Sequence, residues 1–292
     1  MDIPIYNENE DIYNLFYEKY GCMIIKNVFS HETMSKYNEF CYENFDDVIE
    51  NHKNCSHPKQ NDKITINDLL ERLSFQNPKL LCELINNKKL NKIIDTLLGF
   101  SVIGSMSCHN IKPGGNRQKT HVDYPLHVGS GKFWENNKEL IDEYLTDYQI
   151  NNILPYYSIQ CLIASDKMGE FNGSTEVVVG SHLIKDVDKK VLDKDFSNSV
   201  ENEFINVNLN KGDVLLFNRN LIHRGGHNKS NYNRNSCIIQ YCWLFGVGQA
   251  EKNYEYIFNN LEKELDKLND DEKKKLKYRI KPPYPIDVKI SN

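Results

Sequence analysis

Residues 120–125 read T-H-V-D-Y-P, and residues 215–226 read L-L-F-N-R-N-L-I-H-R-G-G. In an extended segment side chains alternate between two faces, so His121 and Asp123 point one way and Val122 points the other. An imidazole and a carboxylate on one face supply two of the three ligands of a 2-His-1-carboxylate iron site. The best candidate for the third ligand is His223, 102 residues further along the chain. A metal site of this kind requires a fold that brings the two distant stretches together.

The spacing alone does not establish a metal site. About one match to the pattern H-x-[DE] is expected by chance in a chain of 292 residues with 9 His and 41 Asp and Glu residues, and the chain has one. Context gives the pattern more weight, because a closed or double-sheet β-fold brings together strands that are far apart in sequence. Three protein ligands would also leave positions on an octahedral iron for a chelating cosubstrate and dioxygen.

Helical patterns come first in the chain and strand patterns follow. Leucine and isoleucine at helical spacing predict helices at residues 66–73 and 78–98, and a charged amphipathic region predicts another at residues 253–276. Short β-type runs occupy residues 100–111, 118–122, 156–165, 174–179, 205–209, 214–217 and 237–244. This order predicts an α+β chain around a jelly-roll barrel, with flanking N-terminal and C-terminal helices.

The domain organisation is predicted to be simple. The 292 residues show no evident linker or internal repeat, which favours a single domain over residues 1–292. We expect its jelly-roll core at about residues 100–245, after a helical part at residues 11–99. A C-terminal helix and tail are expected at residues 250–292.

Composition excludes several classes of protein. The net charge of −5 argues against a nucleic-acid partner, which would require a basic surface. No signal peptide and no apolar run of about 18 residues is visible, so we expect a cytoplasmic protein with no membrane partner. The eight cysteines form no C-x-x-C pair and are expected to be reduced, mostly buried thiols.

Arg234 stands eleven residues after His223, at the start of a predicted apolar strand. An arginine buried there would need a partner. A dicarboxylate cosubstrate would supply one, since a guanidinium binds a carboxylate through two hydrogen bonds. The alternative is a surface arginine at the start of a strand, and spacing alone favours that alternative.

Several short, different motifs follow one another along the chain over about residues 15–245. They are Y-G-C-M-I-I-K-N-V-F-S-H-E-T-M at residues 20–34, the His121–Asp123 pair, N-G-S-T-E-V-V-V-G-S-H at residues 172–182, K-G-D-V-L-L-F at residues 211–217, His223, and N-K-S-N-Y-N-R at residues 228–234. Together they resemble the phytanoyl-CoA dioxygenase family of Fe(II)/2-oxoglutarate-dependent oxygenases. The resemblance covers most of the chain.

The resemblance implies a fold, a function and a site. The implied fold has a double-stranded β-helix core of the jelly-roll or cupin-like type. It implies His121, Asp123 and His223 as the iron ligands and catalytic centre, and Arg234 as the residue that binds the distal carboxylate of 2-oxoglutarate. It implies Fe(II) as cofactor, 2-oxoglutarate as cosubstrate and ascorbate as an accessory reductant. The implied reaction uses dioxygen to hydroxylate a C–H bond of a small organic substrate, with succinate and carbon dioxide as co-products.

One position departs from the family pattern. Many members carry a hydroxyl residue two positions after the distal histidine, where this chain has Gly225. Two alternatives follow: Ser230 or a tyrosine supplies the missing hydrogen bond, or the affinity for 2-oxoglutarate is weaker. Gln160 or Leu162, depending on strand register, is expected to contact the cosubstrate.

The remaining candidates concern the substrate. Residues 124–153 are long and irregular, and they predict either a lid over the site or a surface excursion. Tyr124, His127 and Trp134 in this segment are candidate substrate contacts. His109 and Met106, on the strand before the first ligands, are further candidates for the site.

Two other classes of function compete with a hydroxylase. One is a non-catalytic cupin-like binding or scaffold protein that keeps the fold. The other is a zinc or manganese enzyme that uses the same three ligands without 2-oxoglutarate. The intact His-Asp-His set favours catalysis, and Arg234 argues against the second alternative, which has no use for a residue that binds a carboxylate. The sequence indicates neither the substrate nor an oligomeric state.

Overall fold

The computed structural model describes residues 2–52, 63–99, 101–123, 158–243 and 254–280. The segment at residues 124–153, predicted as a lid or a surface excursion, falls entirely in the gap between residues 123 and 158. The predictions for Tyr124, His127 and Trp134 therefore lie outside the described residues.

The described helices lie mainly at the two ends of the chain. They are a π-helical segment (Asn14–Tyr20), α1 (His31–His52), α2 (Leu69–Gln76), α3 (Pro78–Ile85), α4 (Lys88–Leu98), α5 (Val187–Lys190), α6 (Lys194–Ser199), α7 (Tyr254–Leu265) and α8 (Asp270–Ile280). Asn77 and Asn87 begin α3 and α4, since each side-chain oxygen accepts a hydrogen bond from a backbone N–H three residues later. None of these helices is long and apolar enough to cross a membrane.

The described strands form two antiparallel sheets. The strands are β1 (Cys22–Ile25), β2 (Lys63–Ile66), β3 (Ser101–Ile111), β4 (Ser158–Ile163), β5 (Thr175–Val177), β6 (Ile205–Asn206), β7 (Val214–Asn218), β8 (His223–Gly225) and β9 (Arg234–Trp243). The large sheet has the order β1-β7-β4-β9-β3-β2, and the small sheet has the order β6-β5-β8. All pairs of neighbouring strands are antiparallel.

The large sheet lies between the helices and the small sheet. Cys161 and Ile239 on one face join an apolar core with the N-terminal and C-terminal helices. Leu162 and Leu215 on the other face pack with Val177 of the small sheet. Alternation along each strand therefore divides its side chains between two apolar layers.

The turn before β7 is bonded to the segment that follows β1. The buried Asp213 carboxylate accepts hydrogen bonds from the backbone N–H of Asn27 at 2.8 Å, the N–H of Asn210 at 2.9 Å and the Lys26 ammonium at 2.9 Å. Gly212 adopts φ +90°, and its carbonyl accepts from the N–H of Phe29 at 3.0 Å. These bonds fix the edge of the large sheet where β1 pairs with β7.

The mixed α and β content is as predicted, but several local predictions are wrong. The helix predicted at residues 78–98 is divided into α3 and α4, with Asn87 beginning the second. The strand β2 occupies Lys63–Ile66, and α2 begins only at Leu69, whereas the pattern predicted a helix from residue 66. Residues 118–122 do not form a continuous strand, because His121 forms an isolated bridge to His223 and Gln118 adds one backbone hydrogen bond to Gly225 of β8.

The thiols agree with the predicted reduced state. All seven described cysteines are free, and six of them are buried. Cys55, the eighth, lies outside the described residues.

Candidate metal and cosubstrate site

A cavity of about 460 Å³ lies between the two sheets. The large sheet contributes most of its lining residues, and Thr175, His223 and Gly225 line it from the small sheet. Its volume falls within the roughly 300–1,000 Å³ that is common for small-molecule sites. His121 and Asp123 complete one side of the cavity.

The three predicted metal ligands converge in this cavity. Each of His121, Asp123 and His223 offers a ligand atom, and these atoms all lie within 4.8 Å of one another. Nε2 of His223 is 3.6 Å from Oδ1 of Asp123. In the part of the chain that the structure describes, this is the one such group of three or more His, Cys, Asp or Glu side chains.

Backbone hydrogen bonds hold the three ligands in place. His121 and His223 face each other, and each backbone N–H donates to the carbonyl of the other, at 3.1 and 2.9 Å. The N–H of Asp123 donates to the carbonyl of Arg219 at 2.8 Å. Val122 points away from the cavity and is buried in a separate apolar cluster. The alternation predicted for residues 121–123 is therefore present.

Both imidazoles are prepared to bind a metal through Nε2. Nδ1 of His121 lies 2.7 Å from the carbonyl of Lys119, and Nδ1 of His223 lies 2.9 Å from the carbonyl of Leu221. A carbonyl only accepts, so each Nδ1 carries the proton and each Nε2 keeps its lone pair. Burial and the adjacent His223 lower the pKa of His121 to about 4, so this imidazole is neutral at neutral pH. Two such imidazoles and a carboxylate fit a divalent transition metal.

Arg234 is buried at the cavity wall, where it begins β9. Its guanidinium donates to the hydroxyl of Ser236 at 2.8 Å and to the carbonyl of Gly173 at 2.7 Å. Burial lowers its pKa to about 10, so it remains a cation at neutral pH. Both acceptors are uncharged, and Nε has no hydrogen-bond partner among the described residues. The guanidinium therefore has both the charge and a spare donor to receive a carboxylate.

Lys63 is a cavity residue to which the sequence analysis assigned no role. It lies on β2 opposite Ile111, the residue that is itself opposite Arg234. Burial and then the Arg234 charge lower the pKa of Lys63 to about 8. Burial and these two charges also lower the pKa of His109 well below its usual range, so His109 is neutral. This end of the cavity carries positive charge and suits an anion.

The polar–apolar alternation of residues 63–66 is the sequence signal that could have identified the strand β2, and with it the cavity position of Lys63.

Away from Arg234, the cavity has a polar wall formed by Ser105, Gln160 and Gln240. Gln240 lies between the other two, opposite Ser105 on β3 and opposite Gln160 on β4. Leu162 shares the cavity face with Gln160, so both alternatives from the sequence line the cavity. Met106 does not line it, because that side chain is buried in the core on the helical side of the sheet.

Gly225 faces Gln118, which the sequence did not single out. The Gln118 side-chain oxygen accepts from the N–H of Gly225 at 2.7 Å. A Cβ at position 225 would lie 2.8 Å from that oxygen, so Gln118 fills the space that a side chain would need there. The structure does not bring Ser230 to the cavity, because its hydroxyl donates to Asn228 Oδ1 at 2.6 Å in the turn before β9.

An ion-pair network in which Arg224 and Glu176 are buried lies next to the ligand His223. Arg224 donates from Nε to Glu176 at 2.6 Å and from Nη1 to Glu201 at 2.6 Å. Arg117 donates to the other oxygen of Glu176 at 3.0 Å. The Arg224 guanidinium also stacks on the Phe204 ring at 3.8 Å. The network ties β8 to β5 and to the segment that leads into His121.

Comparison with known families assigns the chain to a class. The family described as Phytanoyl-CoA dioxygenase (PhyH) matches residues 17–236. Because this match spans most of the chain, the protein belongs to the phytanoyl-CoA dioxygenase family, as its ordered segments indicated.

Comparison with solved structures identifies a protein whose fold is similar to that of this chain. The chain is similar to the crystal structure of the non-heme alpha ketoglutarate-dependent carbocyclase SnoK from nogalamycin biosynthesis, with a TM-score of 0.58 and 16% sequence identity. The similarity covers 83% of this chain and 89% of that one. At this identity the likeness concerns the fold alone. No curated protein sequence matches the chain.

Proposed function

We propose that the protein is a non-haem Fe(II)- and 2-oxoglutarate-dependent dioxygenase. It hydroxylates a C–H bond of a small organic substrate and forms succinate and carbon dioxide as co-products. The observation that carries this proposal is the convergence of His121, Asp123 and His223 in the cavity that Arg234 also lines. Membership of the phytanoyl-CoA dioxygenase family supports it.

In this proposal the metal is held by Nε2 of both histidines and by the Asp123 carboxylate. Fe(II) with 2-oxoglutarate supplies the activation of dioxygen, a chemistry that no protein side chain provides. The carbonyls of Lys119 and Leu221 keep the two imidazoles in the tautomer that leaves Nε2 free.

The cosubstrate site is built around charge. The Arg234 guanidinium binds the distal carboxylate of 2-oxoglutarate and gains the charged partner that it lacks among the described residues. Lys63 adds a second positive group at the same end, which offsets part of the charge of a dianion. The apolar side chains of Phe217, Leu162 and Ile238 restrict water in the middle of the cavity.

The substrate is expected to be polar and uncharged where it meets the polar wall. Ser105, Gln160 and Gln240 provide hydroxyl and amide groups, and none of them carries charge. Such a wall suits hydroxyl or amide groups on a substrate better than a long hydrocarbon chain. Tyr124, His127 and Trp134 remain candidate contacts from the segment outside the described residues.

We also infer how the rest of the chain is organised. The two antiparallel sheets are the two halves of a double-stranded β-helix, and residues 118–123 run beside β8 at its margin. Residues 1–292 form one domain, since the helices from both ends of the chain pack into one apolar core with the large sheet.

Turnover tests the proposal. Purified protein receives Fe(II), 2-oxoglutarate, ascorbate as a reductant for iron, and a panel of small hydroxyl- and amide-bearing compounds. The measurements are succinate release and the mass of the product. We expect metal-dependent succinate and a product that has gained one oxygen atom, whereas Asp123→Ala should give only background succinate because one metal ligand is missing.

The outcomes separate the competing functions. Full succinate release by Asp123→Ala contradicts the proposed metal site. Metal binding without binding or turnover of 2-oxoglutarate favours a zinc or manganese enzyme. A protein that binds no metal favours the scaffold alternative.

A further inference from the structure

Gln118 has an unusual position beside the smallest residue of the cavity lining. Its backbone N–H donates to the carbonyl of Gly225 at 2.8 Å, and its side-chain oxygen accepts from the N–H of Gly225 at 2.7 Å. The Cγ, Cδ and Oε1 atoms of Gln118 all lie within 3.3 Å of the place where a Cβ of residue 225 would be. The glycine therefore makes room for the glutamine side chain.

The two ends of the Gln118 amide group have different roles. Because a backbone N–H only donates, Oε1 must be the atom that faces Gly225, and the amide nitrogen points elsewhere. This nitrogen has no acceptor among the described residues. Gln118 also lines the cavity that contains Arg234 and the three metal ligands. Its NH₂ group thus offers two hydrogen-bond donors to a ligand in that cavity.

We propose that Gln118 is a cosubstrate-binding residue. Its amide NH₂ donates a hydrogen bond to the distal carboxylate of 2-oxoglutarate, the same carboxylate that Arg234 binds. It takes the place of the hydroxyl donor that Gly225 cannot provide. This inference rests on the proposed function, since it assumes that 2-oxoglutarate occupies the cavity. It also explains why Ser230 is not required in that role.

A purely structural role is the competing explanation. Gln118 could serve only to hold residues 118–121 against β8 and so keep His121 near His223. In that case removing the side chain would disturb the metal centre and weaken every ligand that chelates it. A direct donor to the distal carboxylate would affect only ligands that possess this carboxylate. The two explanations therefore differ in their dependence on the ligand.

The experiment measures binding by calorimetry on the Fe(II)-loaded protein without oxygen. The two ligands are 2-oxoglutarate and 2-oxovalerate, which keeps the chelating end but lacks the distal carboxylate. For Gln118→Ala we expect the Kd of 2-oxoglutarate to rise about tenfold or more, as for loss of a hydrogen bond to a charged group. The Kd of 2-oxovalerate should stay unchanged. Asn116→Ala, which removes an exposed amide from the same segment, is the matched control and should affect neither ligand.

A second variant tests the replacement directly. In Gln118→Ala the space beside residue 225 is free, so adding Gly225→Ser should restore most of the affinity for 2-oxoglutarate. In the presence of Gln118 the same Gly225→Ser change should bring no gain, because the glutamine already fills that space. The two substitutions should therefore be strongly non-additive.

Three results would overturn the inference. One is an unchanged Kd for 2-oxoglutarate in Gln118→Ala, and another is an equal loss for both ligands. The third is additive behaviour of the two substitutions. If the unaltered protein itself fails to bind 2-oxoglutarate, the proposed function fails as well, so the two failures are distinguishable.

Discussion

Arg234 carries a buried charge for which the described residues provide only uncharged acceptors. Its guanidinium is bonded to a hydroxyl and a carbonyl, and Nε remains without a partner among them. Burying a charge without a countercharge costs several kcal/mol in proteins. A residue of this kind lowers the stability of the folded protein, and its presence is explained if its partner is an anionic ligand.

Replacing Arg234 by methionine should separate binding from stability. We expect the Kd of 2-oxoglutarate to rise by about 100-fold or more, because two charge-assisted hydrogen bonds are lost. Fe(II) binding should persist, because none of the three metal ligands changes. The free energy of unfolding of the ligand-free protein should not fall, since the cost of burying the charge is removed and offsets the loss of two hydrogen bonds and of the attraction to Asp166. Calorimetry and chemical denaturation measure these quantities.

Arg234→Lys is the matched control for that experiment. It keeps the charge but loses the planar fork, so its affinity should fall between those of the unaltered protein and Arg234→Met. An unchanged affinity for 2-oxoglutarate in Arg234→Met would show that this residue does not bind the cosubstrate.

At the residue scale, the sequence predicted what local alternation encodes. His121 and Asp123 share a face because strand-like segments alternate, and Val122 is buried on the other side. Gln118 was not identified because its contact depends on Gly225, which is 107 residues away. Lys63 was missed because its cavity position follows from the pairing of β2 with β3.

At the scale of an element, the turn at Gly212 is closely packed against the N-terminal segment. Its φ of +90° lies in the region that favours glycine, and a Cβ would lie 2.1 Å from the carbonyl oxygen of Phe29. Gly212→Ala should lower the free energy of unfolding by more than the roughly 1–3 kcal/mol of backbone strain alone. Gly99→Ala is the control, because its φ is +66° but a Cβ there meets no described atom within 4 Å. Equal losses in chemical denaturation would contradict this account.

Asp213 should make the stability of the same turn depend on pH. Burial alone would raise the pKa of this carboxyl, but hydrogen bonds from Asn27, Lys26 and Asn210 outweigh burial and lower it. A lowered folded pKa gives stability that is complete above the unfolded pKa of about 3.9 and is lost as pH falls through the folded pKa. Asp213→Asn should therefore be less stable by roughly 2–4 kcal/mol at pH 7.

The difference between Asp213→Asn and the unaltered protein should shrink as pH falls from about 5 towards 2. Denaturant titrations at several pH values measure this difference. A gap that stays constant over that range would show that the Asp213 charge does not stabilise the turn.

Element boundaries were predicted less well than element types. The amphipathic pattern at residues 253–276 predicted one helix, but α7 ends at Leu265 and α8 begins at Asp270. The break has a local cause, since the Asn269 side chain accepts from the N–H of Glu272 and so begins a new helix. The strand predicted at residues 118–122 is not continuous, because among the described residues its backbone is bonded to β8 only at Gln118 and His121.

At the scale of the whole molecule, the order of strands was beyond the reach of the sequence. The pattern predicted helices first, then short strands, then a helix. The described residues follow that order except that β1 and β2 lie among the first helices and α5 and α6 lie among the strands. The order β1-β7-β4-β9-β3-β2 pairs strands that are distant in sequence, and no local pattern specifies such pairs. The ordered family segments were needed to predict that the two distant ligand stretches meet.

The measurement that tests the central claim most directly is an anaerobic optical titration. Fe(II) is added first and 2-oxoglutarate second, and the spectrum is monitored for the visible metal-to-ligand charge-transfer band of the chelated cosubstrate. We predict that the band forms in the unaltered protein, disappears in His223→Ala and requires far more 2-oxoglutarate in Arg234→Met. Fe(II) binding without any band at saturating 2-oxoglutarate would contradict the assignment of this site to a 2-oxoglutarate-dependent dioxygenase.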